Sequence, residues 1–161
     1  MESHEEAVMS STKMIGRKHM AIPKPSDGPG WCLGLSAHRP DAVHELLLAG
    51  LPYKSLETLI ASSGLKQQEI LHAAQLPAST LARRRKAKKL EPAESERLFR
   101  VARVFERAAE LFEGDAAAAR RWLTEPVRGL GYRVPLELAR TQVGAQLVLD
   151  LIGRLEHGVF S

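Results

Sequence analysis

The 161-residue chain has one cysteine, Cys32, which excludes an internal disulfide framework and agrees with a reducing compartment. Aromatic residues are scarce, 5% against 44% apolar, so any core must be built on alanine and leucine. No apolar run approaches the roughly 20 residues that span a bilayer. The N-terminus opens with Glu2, His4, Glu5 and Glu6 and carries no apolar signal core. These absences lead us to expect a soluble, cytoplasmic protein. A Gly-rich phosphate loop and a nucleophile–base constellation are also missing. The histidines at 4, 19, 38, 44, 72 and 157 have no metal-ligand spacing. No catalytic residue, metal or cofactor is therefore expected, and the enzyme class is disfavoured.

The net charge of +4 is modest and unevenly spread. Residues 1–54 balance to zero, and the basic excess falls in the remainder of the chain. A local excess of that kind favours a footprint on an acidic partner. Its densest part is Arg83-Arg84-Arg85-Lys86-Ala87-Lys88-Lys89, six cations and no acid in seven positions.

Residues 1–36 read as a poorly ordered segment, with Pro23, Pro25, Pro29, Gly28, Gly30 and Gly34 and no surviving period. Cys32 lies there and reads as incidental. Beyond it no segment alternates like a strand, and the expected fold is all-α. Residues 37–54 hold a short helix after Pro40, a candidate oligomerisation element. Ser55 is expected to cap a second helix that Gly64 stops. Next come Gln67–Ala74, the break Gln75-Leu76-Pro77, and a further helix from Ser79. Two short helices joined by a tight turn, with Leu76 plugging the corner, form a helix-turn-helix arrangement.

In such a motif the second helix offers its first side chains to base edges and its flanking cations to phosphates. Ser79, Thr80 and Arg83 stand where bases or the nearest backbone could be reached. Arg84, Arg85, Lys86, Lys88 and Lys89 read as phosphate contacts, supplying affinity without sequence information. The competing reading of such a run is a solvated charged face. After Pro92, Leu98, Val101, Ala102, Phe105, Ala108, Leu111 and Phe112 form an apolar helical stripe. Arg97, Arg100, Arg103 and Arg107, alternating with Glu94, Glu96, Glu106 and Glu110, read as a solvent face laced with ion pairs. Asp115 and Thr141 are expected to cap later helices, with a Pro- and Gly-bearing loop from Thr124 to Val134 between them.

The last third reads Ala119-Arg120-Arg121-Trp122-Leu123-Thr124-Glu125-Pro126, then Leu130-Gly131, then Pro135-Leu136-Glu137-Leu138-Ala139, Thr141, Gly144, Val148, Leu151 and Gly158. This resembles the toxin-binding domain of the Xre/MbcA/ParS antitoxins. Thr80-Leu81, Arg83-Arg84-Arg85, Leu90, Ser95, Arg97-Leu98, Arg100 and Leu111-Phe112 resemble that family's helix-turn-helix. The resemblance covers about residues 55–160. It implies an Xre-like helix-turn-helix domain at 55–113 and a helical toxin-binding domain at 114–161. Pro77 departs from it, standing where a Ser, Thr or Asp cap is usual.

The family implies a type II antitoxin paired with a RES-domain toxin that depletes NAD, inhibited by covering its active-site cleft. Arg128, Tyr132 and Arg133 would be donors suited to a nucleotide pocket. Phe160 is a further candidate toxin contact, with closure of the domain as its equal alternative. Trp122 and Leu123 read as core, and Gly144 as a site of close packing. The expected partners are the toxin, promoter DNA and a second copy of the chain for autorepression. The alternative is a stand-alone repressor whose C-terminal domain dimerises or binds an effector.

Overall fold

The computed structural model describes residues 28–36 and 39–158. Among them lie eight α-helices: α1 Pro40–Ala49, α2 Tyr53–Ser63, α3 Gln67–Ala73, α4 Leu81–Ala87, α5 Pro92–Leu111, α6 Ala116–Thr124, α7 Pro135–Leu138 and α8 Gln142–Glu156. Short 3-10 turns stand at Trp31–Leu33, Ala78–Thr80 and Arg128–Leu130. Extended pairing among the described residues is limited to two isolated bridges, Pro52 with Lys89 and Val127 with Arg133. The fold is all-α, as the periodicity predicts. Among the described residues no helix is long and apolar enough to cross a membrane.

The local signals act where they stand. Pro40, Pro92 and Pro135 each open a helix, where a missing N–H costs nothing. Asp115 accepts from the Ala118 N–H at 3.0 Å, and Thr141 from the Gly144 N–H at 2.9 Å. Gly64 stops α2 in the left-handed region. Ser55 does not cap α2. The helix starts at Tyr53, behind Pro52, and Ser55 is buried within its first turn. The Tyr53 N–H finds the Lys88 carbonyl at 3.1 Å instead, so this donor is satisfied by a distant chain segment.

The spine of the molecule is α5. Leu98, Val101, Ala102, Phe105 and Ala108 are fully buried along it, and α6 and α8 pack on it. Its charged residues are not a simple solvent face. Glu94 and Glu106 are buried. The Arg97 Nε donates to the Ala74 carbonyl at 3.0 Å, at the end of α3. The Arg100 Nε and Nη2 donate to the Ala139 and Arg140 carbonyls, both at 2.8 Å, just past α7. Arg107 reaches Glu156 near the end of α8 at 2.5 Å. For Arg97 and Arg100 the physical reason is that carbonyls at a helix end have no intrahelical donor and a guanidinium supplies one. Arg107 instead makes an ion pair with the Glu156 carboxylate. The arginines of α5 fasten the ends of three neighbouring helices.

The segment expected to be poorly ordered as far as residue 36 includes the turn Trp31–Leu33, whose three side chains are buried. Trp31 packs against Phe105, ring centroids 6.0 Å apart. Both polar groups of the Cys32 peptide are held by side chains. Its N–H donates to Glu106 Oε1 at 3.2 Å, and its carbonyl accepts from the Ser62 hydroxyl at 2.9 Å. Burial pushes the Cys32 thiol well above its ordinary value, and the Glu106 carboxylate adds to this. Residues 1–27 and 159–161 fall outside the description, and Phe160 with them. One continuous apolar cluster runs from Trp31 to Ile152 and includes both halves of the chain.

Candidate functional sites

The first site is the end of α3, the turn after it, and α4. Leu76 is buried at the corner and donates its N–H to the Leu71 carbonyl at 2.8 Å, while Gln75 takes a positive φ of 53° to make the turn. A single 3-10 turn, Ala78–Thr80, precedes α4. Within α4 only Leu81 is buried, so the other six residues lie at or near the surface. The helix is short: Lys88 turns to φ 58° and ends it after seven residues.

The eight residues expected at the DNA are not equivalent. Ser79, Arg83, Lys86, Lys88 and Lys89 are exposed. The half-buried Thr80 donates its hydroxyl to the Pro77 carbonyl at 2.8 Å. Arg85 is exposed but lies over the Tyr53 ring, 5.6 Å from its centroid, and donates to the Tyr53 hydroxyl at 3.4 Å. Arg84 turns inward. Its Nε and Nη2 meet the two Glu94 oxygens at 2.8 and 3.0 Å, and its Nη1 lies 3.3 Å from Glu91. Burial acts to raise the Glu94 carboxyl, but the Arg84 hydrogen bonds, the Glu91 N–H and the Arg84 charge outweigh it and hold Glu94 below its ordinary value.

The segment after α4 is sewn to the start of α2. Tyr53 donates to the Lys88 carbonyl at 3.1 Å and Leu90 to the Leu51 carbonyl at 2.8 Å. The Leu51 N–H then meets the Ser95 hydroxyl at 2.8 Å. This fixes where the tail of the cation run emerges. Tyr53 and Glu94 were not anticipated as partners of the run, since Tyr53 lies 32 positions from Arg85 and no local pattern joins them.

The second site is the loop between α6 and α7. Val127 and Arg133 close it: the Val127 N–H donates to the Arg133 carbonyl at 3.1 Å and the Tyr132 N–H to the Val127 carbonyl at 2.9 Å. Leu130 is buried beneath, and Gly129 sits so close to Leu151 that an added Cβ would lie 2.8 Å from its Cδ1. Arg128, Tyr132 and Arg133 are exposed together on this closed loop. Tyr132 is 70% exposed at φ 60°, a left-handed conformation that a bulky side chain rarely adopts. The Arg133 Nε donates to the Leu130 carbonyl at 2.9 Å, which ties the base of its guanidinium to the loop.

Beside this loop Leu123 is fully buried, and the partly buried Trp122 packs on Phe112 with ring centroids 6.4 Å apart. Gly144 is held against the end of α7, where a Cβ would fall 2.0 Å from the Leu138 carbonyl oxygen.

Comparison with known proteins is direct. A model of the antitoxin Xre-like helix-turn-helix domain matches residues 42–103, and a model of the antitoxin Xre/MbcA/ParS C-terminal toxin-binding domain matches residues 107–158. An Antitoxin Xre of Yersinia enterocolitica is 40% identical over 130 residues, covering 80% of this chain and 88% of its own length. The chain belongs to the Xre antitoxin family. An Antitoxin Xre of Photorhabdus laumondii is 34% identical over 140 residues, 86% of this chain and 95% of the relative.

The family matches map cleanly onto the two sites. The motif around α3 and α4 falls in the first matched region and the Arg128–Arg133 loop in the second. In this Xre-family chain the two regions meet inside α5, between residues 103 and 107. One matched domain is described as a helix-turn-helix and the other as toxin-binding, and neither is an enzyme family.

Proposed function

We propose that the chain neutralises a RES-domain, NAD-degrading toxin by covering its active site, and binds its own promoter as a homodimer to repress it, in the cytoplasm. The observation that carries the toxin reading is the exposed, left-handed Tyr132, on a loop closed by a bridge between Val127 and Arg133. A non-glycine residue kept at positive φ on a surface loop is a retained cost of about 1 kcal/mol, of the kind that clusters at binding sites. Two guanidiniums beside it offer fork-shaped donors to a pocket built for a phosphate-bearing nucleotide. Phe160 completes the proposed contact set.

On the DNA side, Ser79, Thr80 and Arg83 are assigned to base edges or the nearest backbone. Arg85, Lys86, Lys88 and Lys89 are assigned to phosphates. Arg84 supports this site through Glu94 rather than meeting DNA itself. In this reading residues 55–113 form the DNA-binding unit, 114–161 the toxin-binding unit and 37–54 the oligomerisation element. The deciding experiment is co-expression with the product of the adjacent gene, followed by size exclusion and an NAD-consumption assay. A co-eluting pair with NAD spared is expected. An unbound chain and unchecked NAD loss would overturn the antitoxin–RES pairing.

A further inference from the structure

The bond from Tyr53 to the Lys88 carbonyl does more than satisfy a helix start. It brings the first turn of α2 against the tail of the cation run, so Lys54 stands beside a segment far from it in the chain. Arg85 is drawn to the same junction, its guanidinium 5.6 Å from the Tyr53 ring centroid and its Nη2 3.4 Å from the Tyr53 hydroxyl. Lys54, Arg85 and Lys88 are all exposed. Among the described residues none of the three is paired with a carboxylate. The acids that follow the run, Glu91 and Glu94, are both engaged by Arg84, so they do not neutralise this junction. Lys54 also has no structural task that explains it. The first turn of α2 holds no acid, and a cation at a helix start opposes the helix dipole.

We propose that Lys54 is a phosphate contact for DNA, forming with Arg85 and Lys88 one edge that grips the sugar–phosphate backbone beside α4. Three unpaired cations drawn from two helices suit an anion that spans them, and a nucleic-acid strand repeats such anions along its length. Two features choose DNA over an acidic protein. The edge continues the exposed cations of α4, Arg83 and Lys86. All of these residues lie in the helix-turn-helix match and outside the toxin-binding match. Phosphate contacts fix register and orientation on a duplex, so this edge would set how α4 sits against the groove. Tyr53, buried at the junction, holds Arg85 to the body of the motif. The inference rests on the DNA reading above and adds to it a residue outside the run.

The test is equilibrium binding of the full chain to a labelled duplex spanning the region upstream of its gene, and to a random-sequence duplex of equal length, over a salt series. Per bound chain, K54A should lose about eightfold in affinity at roughly 0.1 M salt on both duplexes and lower the slope of log affinity against log salt by about one. K54R keeps the charge and should restore both quantities. R154A, at an exposed position of α8 outside the helix-turn-helix match, should change neither. The helical signal of K54A should be undiminished, because the side chain is exposed. Wild-type affinity and slope in K54A overturn the proposal. So does a loss confined to the upstream duplex, which makes Lys54 a reader of bases, or a loss that K54R does not restore. Intact DNA binding with toxin co-purification lost assigns the edge to the toxin and overturns it too. A wild type that binds neither duplex overturns the DNA reading itself, a result distinct from K54A matching a wild type that binds.

Discussion

Arg84 and Glu94 meet face to face, Nε to Oε2 at 2.8 Å and Nη2 to Oε1 at 3.0 Å, while the neighbouring Arg83 stands free in solvent. One cation of the run is therefore structural and the next is available to a partner. R84A should lower the urea midpoint of unfolding, whereas R83A should leave stability unchanged within about 0.5 kcal/mol. Equal effects of the two on the midpoint would contradict this division.

Glu94 is held below its ordinary value in the folded chain. A depressed carboxylate contributes stability that is full above its unfolded value, about 4.3, and is lost as pH falls through the folded one. E94Q should remove that part of the acid limb, so the stability difference from wild type shrinks below about pH 4. Urea midpoints measured at pH 3.5, 5 and 7 decide it; a difference independent of pH sinks the argument.

The exposed cations should act through phosphates. R83A, K86A and K88A should each weaken promoter binding, and a pure phosphate contact should lower the slope of log affinity against log salt by about one. A change in sequence preference at Lys86 or Lys88, with the salt slope intact, would reassign them to base reading.

Tyr132 offers a separation of binding from folding. Y132G removes the positive-φ penalty and should leave stability within about 1 kcal/mol of wild type, while toxin affinity falls at least tenfold. Y132V places a β-branched residue at φ 60° and should destabilise by about 1–2 kcal/mol. Full toxin affinity in the glycine variant would remove Tyr132 from the contact set.

Gly144 lies within α8, where Ala would ordinarily be favoured by about 1 kcal/mol. Here the Cβ would fall 2.0 Å from the Leu138 oxygen, so G144A should instead cost about 1–3 kcal/mol by forcing α7 and α8 apart. A neutral or stabilising result in urea unfolding would show that the two helices can part freely.

What the sequence discloses and what it hides divide along one line. Helix starts at Pro40, Pro92 and Pro135, caps at Asp115 and Thr141, the corner at Leu76 and the stripe of α5 are local in cause, and each is legible from neighbouring residues. Partners set by folding are not. The fastening of Ala139 and Arg140 by Arg100, the inward turn of Arg84, the Tyr53 ring under Arg85 and the clamping of the Cys32 peptide by Ser62 and Glu106 join residues up to 74 positions apart. An alternation of Arg and Glu on a helix reads identically whether the charges face water or neighbouring helix ends. In the loop, the residue types Arg128, Tyr132 and Arg133 were visible, but the bridge that closes them into one surface was not.

Because the two family regions meet inside one continuous helix, an engineer wishing to exchange partner specificity has no linker to cut. Arg97, Arg100 and Arg107 pin three different elements to the same rod, so a graft made between residues 103 and 107 inherits an angular register as well as a sequence. One inserted residue there would rotate the region matched as toxin-binding by about 100° against the region matched as helix-turn-helix. Chimeras should therefore be built by replacing surface side chains of the Arg128–Arg133 loop, and shuffling by recombination within this helix should succeed only in frame with its turns.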